Sequence, residues 1–164
     1  MKGLSVKKQE LEKLFDYVDG GLYWKIKLSN NVNVGDKAGS ANDRGYLFVQ
    51  INKKKYSLHR LVYAYHHGYM PLFVDHIDNN KANNRIDNLR AVTKSQNQQN
   101  RKCNANSATK FKNVCWNARQ AKWQVQVCVN KKRVVSKVFD DFELATLVAA
   151  EARDKFHGVF ARSF

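Results

Sequence analysis

The chain has 164 residues, of which 43% are hydrophobic and 12% aromatic, so it can bury a core and is not a disordered polycation. Its length allows one medium domain or two small ones. Because 29 Lys and Arg residues stand against 14 Asp and Glu residues, the net charge of +15 predicts a polyanionic partner, with nucleic acid as the first candidate.

A membrane surface is the rival polyanion, but the sequence has no run of about 18 apolar residues and no dominant basic amphipathic helix. The first residues, MKGLSVKKQELEKLF, lack the apolar stretch of a signal peptide, so we expect an intracellular protein. Three cysteines, Cys103, Cys115 and Cys128, contain no C-x-x-C pair and predict buried or idle thiols, without a disulfide framework or structural zinc.

The first predicted element is a helix over residues 6–18, with Ser5 as its N-cap and Gly20-Gly21 at its end. Alternating apolar residues then predict short strands over residues 22–26, 45–51 and 56–58. A second helix is expected over residues 60–67, ending at Gly68 just ahead of the only proline, Pro71. These elements are predicted to form scaffold.

A strand, loop, strand, helix unit follows. The strands are predicted over residues 73–77 and 89–92, on either side of a loop rich in Asn and Asp. Thr93 and Gln96 have the spacing of a capping box, which predicts a helix that places Asn97, Asn100 and Arg101 on one face. Residues 103–110, CNANSATK, are small and polar and indicate a linker.

The C-terminal residues predict a second module of three strands and one helix. The middle strand, residues 123–129, has strict period-2 alternation, and residues 111–116 and 133–139 are its expected neighbours. Asp140 or Asp141 caps a helix with an apolar stripe, so one helix is expected to cover one face of the sheet. The sequence therefore predicts an α+β protein.

Charge placement indicates which face of the second module binds a partner. Between Asp87 and Asp140 the chain has no acidic residue, while the proposed sheet carries many basic ones. A sheet with one face on a helix and the other carrying Arg, Lys and Gln can enter a DNA groove, where Arg and Gln bond to base edges and Lys to phosphates. We therefore expect double-stranded DNA as the partner.

Asp75, His76, Asn88 and Asn97 combine residue types that metal-assisted phosphodiester hydrolysis needs. Asp75 and Asn97 offer hard oxygen ligands, which suit Mg²⁺ or another divalent cation such as Mn²⁺. Imidazole is the side chain best matched to accepting a proton from water at neutral pH, which predicts this role for His76. Neighbours on a strand point to opposite faces, so Asp75 and His76 can serve one site only if the backbone bends.

The motif D-H-I-D-x-N-x(3)-N-x(3)-N-L-R, followed by Q-N-x-x-N, resembles HNH nucleases of the phage and intron homing type over residues 40–101. That resemblance implies a ββα-metal fold with a core at about residues 72–102, with His76 as general base and Asp75 and Asn97 as metal ligands. It implies that Asn88 braces the loop and helps to hold the histidine. It also implies action in the cytoplasm of a bacterial or phage-infected cell. Because the cysteine pairs of some relatives are absent, we expect packing with the N-terminal region to hold this unit together.

The second module is similar to the AP2 DNA-binding domain, through V-C-W, K-W-Q-V-Q-V, a basic third strand and a tail like A-x-x-x-H-G at Ala152 to Gly158. The resemblance implies a set of DNA-contact residues: Trp116, Arg119, Lys122, Trp123, Gln124, Gln126, Arg133 and Lys137. Trp123 alternates with Val125 and Val127, so it fits the core as well as a DNA contact. The resulting domains are a nuclease domain at residues 1–102, a linker at 103–110 and an AP2-like domain at 111–164.

Several polar residues also have simpler interpretations. His66-His67 diverge on a helix and favour solvated or partly buried histidines over a metal pair. His59 fits a phosphate contact or a hydrogen bond at a helix start, and Asp78 and Asp87 fit turn formation better than metal ligation. The run of Lys53, Lys54 and Lys55 fits a solvated hairpin turn first and a phosphate contact second.

The leading hypothesis is a monomeric, Mg²⁺-dependent, site-preferring DNA endonuclease. Two rivals stay open. One is a non-catalytic regulator that binds specific DNA sequences through the AP2-like sheet, and the other is an RNA-binding protein, which charge and aromatic content alone would support.

Overall fold

A computed structural model of the chain describes residues 7–29, 31–100 and 107–161, which fall into two compact units that divide between Thr93 and Lys94. The first unit contains, in chain order, α1 (Lys8–Leu14), β1 (Phe15–Val18), β2 (Gly21–Trp24), β3 (Ser40–Ala41), β4 (Leu47–Ile51), β5 (Lys54–Ser57), α2 (Leu58–His67), β6 (Phe73–His76) and β7 (Leu89–Val92). The second unit contains α3 (Lys94–Gln99), β8 (Val114–Asn117), β9 (Lys122–Val129), β10 (Lys132–Phe139) and α4 (Phe142–His157). This is the mixed α and β content that the sequence predicts.

The predicted first helix is too long. The helix ends at Leu14, and residues 15–18 form β1, which pairs antiparallel with β2 across a turn at Asp19-Gly20. Asp19 and Gly20 both adopt positive φ, at 46° and 83°, which makes the turn tight. Val18, which a helical stripe would bury, is 57% exposed. The Ser5 cap lies outside the described residues.

Apolar residues from α1, α2 and the three small sheets build one core in the first unit. The helix α2 contributes Leu58, Leu61 and Val62, and it ends at Gly68 with φ of 77°, as the sequence predicts. It begins at Leu58, which the sequence assigned to the preceding strand. The three sheets are the hairpin β1–β2, the order β3–β4–β5, and the pair β6–β7.

The second unit is built on a three-stranded antiparallel sheet with β9 in the centre, between β8 and β10. Val114, Val125 and Val127 pack against Ala145 and other small residues of α4. Asp141 caps α4 by accepting a hydrogen bond from the Leu144 backbone N–H at 2.6 Å. The predicted sheet, helix and cap are therefore confirmed.

The predicted AP2-like tail has structural roles at the end of α4. Ala152 lies in the core, and the His157 Nε2–H donates to the Cys128 carbonyl at 3.2 Å. Gly158 follows with φ of 52°. The predicted linker at 103–110 lies partly outside the described residues, and the domain limits at 102 and 111 stay predictions.

Candidate active site and nucleic-acid-binding face

His76 is the last residue of β6 and is 4% exposed. Its Nε2 lies 3.0 Å from the Asn84 side-chain oxygen. The ring of His59, at the start of α2, packs with its centroid 5.0 Å from that of His76, and the Tyr46 ring lies 6.3 Å from His76. The candidate base is therefore in contact with side chains from three other segments of the first unit.

Asp75 lies opposite Arg90 in the β6–β7 pair. The Arg90 Nη2 donates to the Asp75 Oδ2 at 3.1 Å, and both side chains are largely buried. The register is unbroken from Phe73 to His76, so Asp75 and His76 alternate in direction, as the sequence predicts. The bend that would bring both to one site is not seen within β6, although the strand ends at His76 itself.

Asn88 braces the loop that joins β6 and β7. Its side-chain oxygen accepts from the Asp78 backbone N–H at 3.0 Å, and its amide donates to the Asp78 Oδ1 at 2.9 Å and the Asn83 carbonyl at 2.8 Å. The Ile77 N–H donates to the Asn88 carbonyl at 2.9 Å. A bracing role would use such bonds, and the functional role of Asn88 stays a prediction. The Asn84 side chain also bonds to the His76 ring.

Asp78 serves this loop as an acceptor. It receives hydrogen bonds from the Asn80 backbone N–H at 2.7 Å and the Asn83 amide at 2.7 Å, besides that from Asn88. Burial raises the pKa of Asp78, but the bonds from Asn83, Asn80 and Asn88 together hold that pKa below its ordinary value. The turn-forming role predicted for Asp78 agrees with these contacts.

His59 is 8% exposed, and its ring packs against that of His76. Burial, followed by repulsion from His76 and Arg60, lowers the pKa of His59 to about 4. His59 is therefore a neutral packing partner of His76 at neutral pH. Sequence reasoning missed this pairing, together with Tyr46 and Asn84, although Asn84 stands inside the quoted motif as its middle Asn.

The hairpin β1–β2 holds the far end of the same loop. The Tyr17 hydroxyl accepts from the Ile86 backbone N–H at 3.1 Å, and Arg85 pairs with Asp19 at 2.9 Å. A Cβ at Gly20 would lie 2.8 Å from the backbone nitrogen of Arg85, so only glycine allows this close approach. These contacts agree with the expectation that the N-terminal region holds the strand pair.

Asn97 lies half-buried on α3, in the second unit. Its predicted role as a metal ligand with Asp75 stays a prediction. Within residues 7–29, 31–100 and 107–161, no cluster of three or more His, Cys, Asp or Glu side chains could hold a metal ion. Carboxylate and amide oxygens such as those of Asp75 and Asn97 are nevertheless the donors that a hard cation takes, with water and phosphate completing the shell.

The sheet of the second unit has one face on α4 and one open face. Val125 and Val127 are fully buried under α4, so their neighbours Gln124 and Gln126 point to the open face. Cys115 pairs with Gln124, and Arg133 pairs with Cys128, which places both on the open face. Three of the predicted DNA contacts, Gln124, Gln126 and Arg133, therefore share one surface.

Lys137 lies on the other face of the sheet. It pairs with Val125, because a β-bulge between Arg133 and Val135 shifts the alternation of β10. Without that bulge Arg133 and Lys137 would share the open face, as the sequence suggested.

The two tryptophans of the second unit also lie on the face of the sheet that packs on α4. Trp116 and Trp123 pair with each other, their ring centroids are 4.8 Å apart, and Trp123 packs 4.6 Å from Phe142 of α4. Trp123 is thus part of the core edge, while Trp116 remains 49% exposed beside it. Trp123 is placed for packing, and the DNA-contact role of Trp116 stays a prediction.

Lys122 and Arg119 lie at one end of the open face. Lys122 pairs with Asn117 and donates to Asp140 at 3.0 Å, and Arg119 is exposed in the turn between β8 and β9. Cys115 and Cys128 are both exposed, at open-face positions of β8 and β9, so of the two predicted alternatives, buried or idle thiols, the buried one does not hold for this pair. Cys103 lies outside the described residues.

Two comparisons with known proteins found a match. Residues 56–99 match the family described as HNH endonuclease. Protein 3.8 of Escherichia phage T7 is 29% identical over 90 residues, which cover 55% of this chain and 74% of that protein. No solved structure matches the chain. In the part of the chain that the structure describes, no helix is long and apolar enough to cross a membrane.

The family match contains Asp75, His76, Asn88 and Asn97, and it ends at residue 99. The AP2-like resemblance of residues 111–164 therefore stays a prediction. The comparisons support an HNH nuclease domain in residues 56–99 and relate the chain to a phage protein.

Proposed function

We propose that this protein is a DNA endonuclease that hydrolyses phosphodiester bonds with His76 as general base. The observation that carries the proposal is the enclosure of His76: inside the segment that matches HNH endonucleases, its ring is bonded to Asn84 and packed against His59. A base held in one orientation is what proton transfer in a transition state requires.

In the proposed reaction His76 accepts a proton from the water that attacks phosphorus, and the bond from phosphorus to the leaving oxygen breaks. Asp75 and Asn97 would supply oxygen donors for a divalent cation, Mg²⁺ or Mn²⁺, and that cation would neutralise the charge that develops on the leaving oxygen. Asn88 keeps the loop after β6 in its path through its bonds to Asp78 and Asn83.

The second unit is proposed to bind duplex DNA through the open face of its sheet, as an AP2-like module. Gln124, Gln126 and Arg133 are suited to base edges, and the basic turns at the two ends of the strands are suited to phosphates. The acid-free stretch from residue 88 to residue 139 supports this role. Site preference of the homing type, action as a monomer and action inside a phage-infected cell complete the proposal.

The test is cleavage of supercoiled plasmid by the full chain, with Mg²⁺ and with a chelator. The wild-type protein is expected to give nicked or linear DNA only with the cation. His76→Ala is expected to lower the rate about 10²- to 10⁴-fold, because that is the usual contribution of a positioned base. A gel-shift assay should show unchanged DNA affinity, since no DNA-binding role is assigned to His76.

Cleavage by His76→Ala at the wild-type rate would overturn the assignment of the base. Absence of any cleavage by the wild-type protein, with tight DNA binding, would favour a second function.

That second function is a non-catalytic regulator that binds DNA through the second unit. One observation favours it: the Arg90 guanidinium is bonded to Asp75, the carboxylate that a cation would need. The same plasmid assay separates the two functions, because a regulator binds DNA without cutting it with or without Mg²⁺.

A further inference from the structure

We infer that Asn84 is a positioning residue that selects the tautomer of His76 and so determines which ring nitrogen accepts the proton. Both side chains are nearly buried, at 3% and 4% exposure, and the Asn84 Oδ1 lies 3.0 Å from the His76 Nε2. The kinetic part of this inference rests on the proposed function, whereas the tautomer itself does not.

The orientation of the Asn84 amide follows from its second hydrogen bond. The Nδ2 donates to the Ala82 carbonyl at 3.2 Å, and a carbonyl oxygen can only accept. The amide nitrogen must therefore face Ala82, which turns the Oδ1 toward His76. The opposite orientation would place two oxygens against each other at Ala82.

A carboxamide oxygen in turn accepts only, so the bond to His76 requires a hydrogen on Nε2. In neutral imidazole one nitrogen carries the hydrogen and the other carries the lone pair. With the hydrogen on Nε2, the lone pair is on Nδ1. The structure thus assigns Nδ1 as the atom of His76 that accepts a proton from water.

The position of Asn84 is fixed from outside the loop. The Gly20 Cα approaches so closely that an added Cβ would lie 3.0 Å from the Asn84 carbonyl carbon and 2.8 Å from the Arg85 nitrogen. The Tyr17 hydroxyl accepts a hydrogen bond from the backbone N–H of Ile86, two residues after Asn84. The hairpin β1–β2 therefore acts as a clamp on residues 84–86, and Asn84 transmits that position to His76.

The direct test is ¹⁵N NMR of the full chain labelled at histidine, recorded in alkaline buffer where imidazole is neutral. Protonated and lone-pair ring nitrogens differ strongly in ¹⁵N shift, and comparison with His76→Gln identifies the His76 signals among the five histidines. The wild-type protein is expected to carry the hydrogen on Nε2 of His76. A hydrogen on Nδ1 would overturn the inference without any variant.

Three variants extend the test. Asn84→Leu is similar in size and removes the accepting oxygen, so His76 should become a mixture of tautomers. Asn84→Asp keeps an accepting oxygen and should keep the hydrogen on Nε2. Asn83→Leu is the matched control, because Asn83 lies in the same loop and its side-chain amide donates to Asp78. An unchanged His76 spectrum in Asn84→Leu would also overturn the inference.

Single-turnover cleavage gives the second measurement. Asn84→Leu should lower the rate about 10- to 100-fold with unchanged DNA affinity, which is part of the contribution of a general base. Asn84→Asp should recover part of that loss, and Asn83→Leu should cut nearly as the wild type. An equal loss in Asn83→Leu and Asn84→Leu would show damage to the loop and would contradict the positioning role.

The two proposals fail in different ways. If the wild-type protein does not cut DNA, the proposed function fails, while the ¹⁵N spectra still decide the tautomer. If the wild-type protein cuts, His76→Ala does not, and Asn84→Leu cuts as the wild type, then only the role of Asn84 fails.

Discussion

Both units bury some polar side chains, Arg153 and His157 among those of the second, but they place their candidate functional side chains differently. In the first unit His59, His76, Asn84 and Asn88 are buried and lie in contact with one another or with the loop around them. In the second unit Gln124, Gln126 and Arg133 lie on the sheet face away from α4, and the buried apolar cluster on the other face consists of Val and Ala. Buried polar groups need partners and become rigid, whereas exposed ones stay adaptable. The difference fits fixed chemistry in the first unit and surface binding in the second.

The largest expected effect is a pH dependence of stability that His59 adds to the first unit. Its pKa falls from 6.5 to about 4 on folding, so the unfolded chain binds more protons between these values. The contribution of His59 to stability is therefore fully present above pH 6.5 and is lost as the pH falls toward 4. This lowers the free energy of unfolding by up to about 3 kcal/mol. Denaturant unfolding of wild type and His59→Phe across this range measures it.

The His59→Phe variant should lose less stability than the wild type over the same range. The difference between the two proteins is the quantity to compare, because burial also lowers the pKa values of His66 and His157. Identical slopes for both proteins would show that His59 is not the neutral, buried partner of His76.

The next effect tests the loop that joins β6 and β7. Asn88→Ala removes the amide that bonds to Asp78 and to the Asn83 carbonyl, so we expect a loss of about 2 kcal/mol in the free energy of unfolding. Cleavage should fall as well, since the loop carries Asn84. Asn80→Ala is the control: its exposed side chain accepts from the Ala82 N–H alone and should change stability by a few tenths of a kcal/mol. Equal losses in both variants would contradict a special role of Asn88.

The sequence predicted elements where one local signal decides. The alternation of β9 and the Asp141 cap are such signals, and both are present. Residues 15–18 satisfied a helical period, but their pairing with β2 is a contact across a turn that the period does not encode. The β-bulge in β10 is equally hidden, and it moves Lys137 to the opposite face from Arg133.

The candidate site shows the same division between features that a local signal predicts and features that depend on distant contacts. Residue types at fixed spacing predicted Asp75, His76 and Asn88, because the chemistry limits the choice of side chains. The Asn84–His76 bond depends on the path of the loop, and that path is held by Tyr17 and Gly20, more than sixty residues earlier in the chain. Such long-range contacts cannot be read from spacing within the motif.

A smaller effect is expected on the open face of the second unit. Gln126→Ala should weaken DNA binding by about 1.5 kcal/mol, roughly tenfold in affinity, and leave stability unchanged because the side chain is not part of the core. Thr146→Ala is the control, because Thr146 lies on α4, on the other side of the sheet from the open face. This variant should bind DNA as the wild type does. Fluorescence anisotropy with a fixed salt concentration measures both. If Thr146→Ala weakens DNA binding and Gln126→Ala does not, the open face is not the DNA-binding face.

The smallest expected effects distinguish the roles of two adjacent aspartates, Asp140 and Asp141. Asp141→Ala removes the cap of α4 and should cost about 1 kcal/mol of stability in denaturant unfolding. Asp140→Ala removes only an exposed ion pair with Lys122, which contributes a few tenths of a kcal/mol at most. Because Asp140 is the one carboxylate bonded to a basic residue of the open face among the described residues, its removal should also strengthen DNA binding slightly. Weaker DNA binding by Asp140→Ala would mean that Lys122 needs its partner in order to contact DNA, and that this end of the face is pre-organised like the loop that joins β6 and β7.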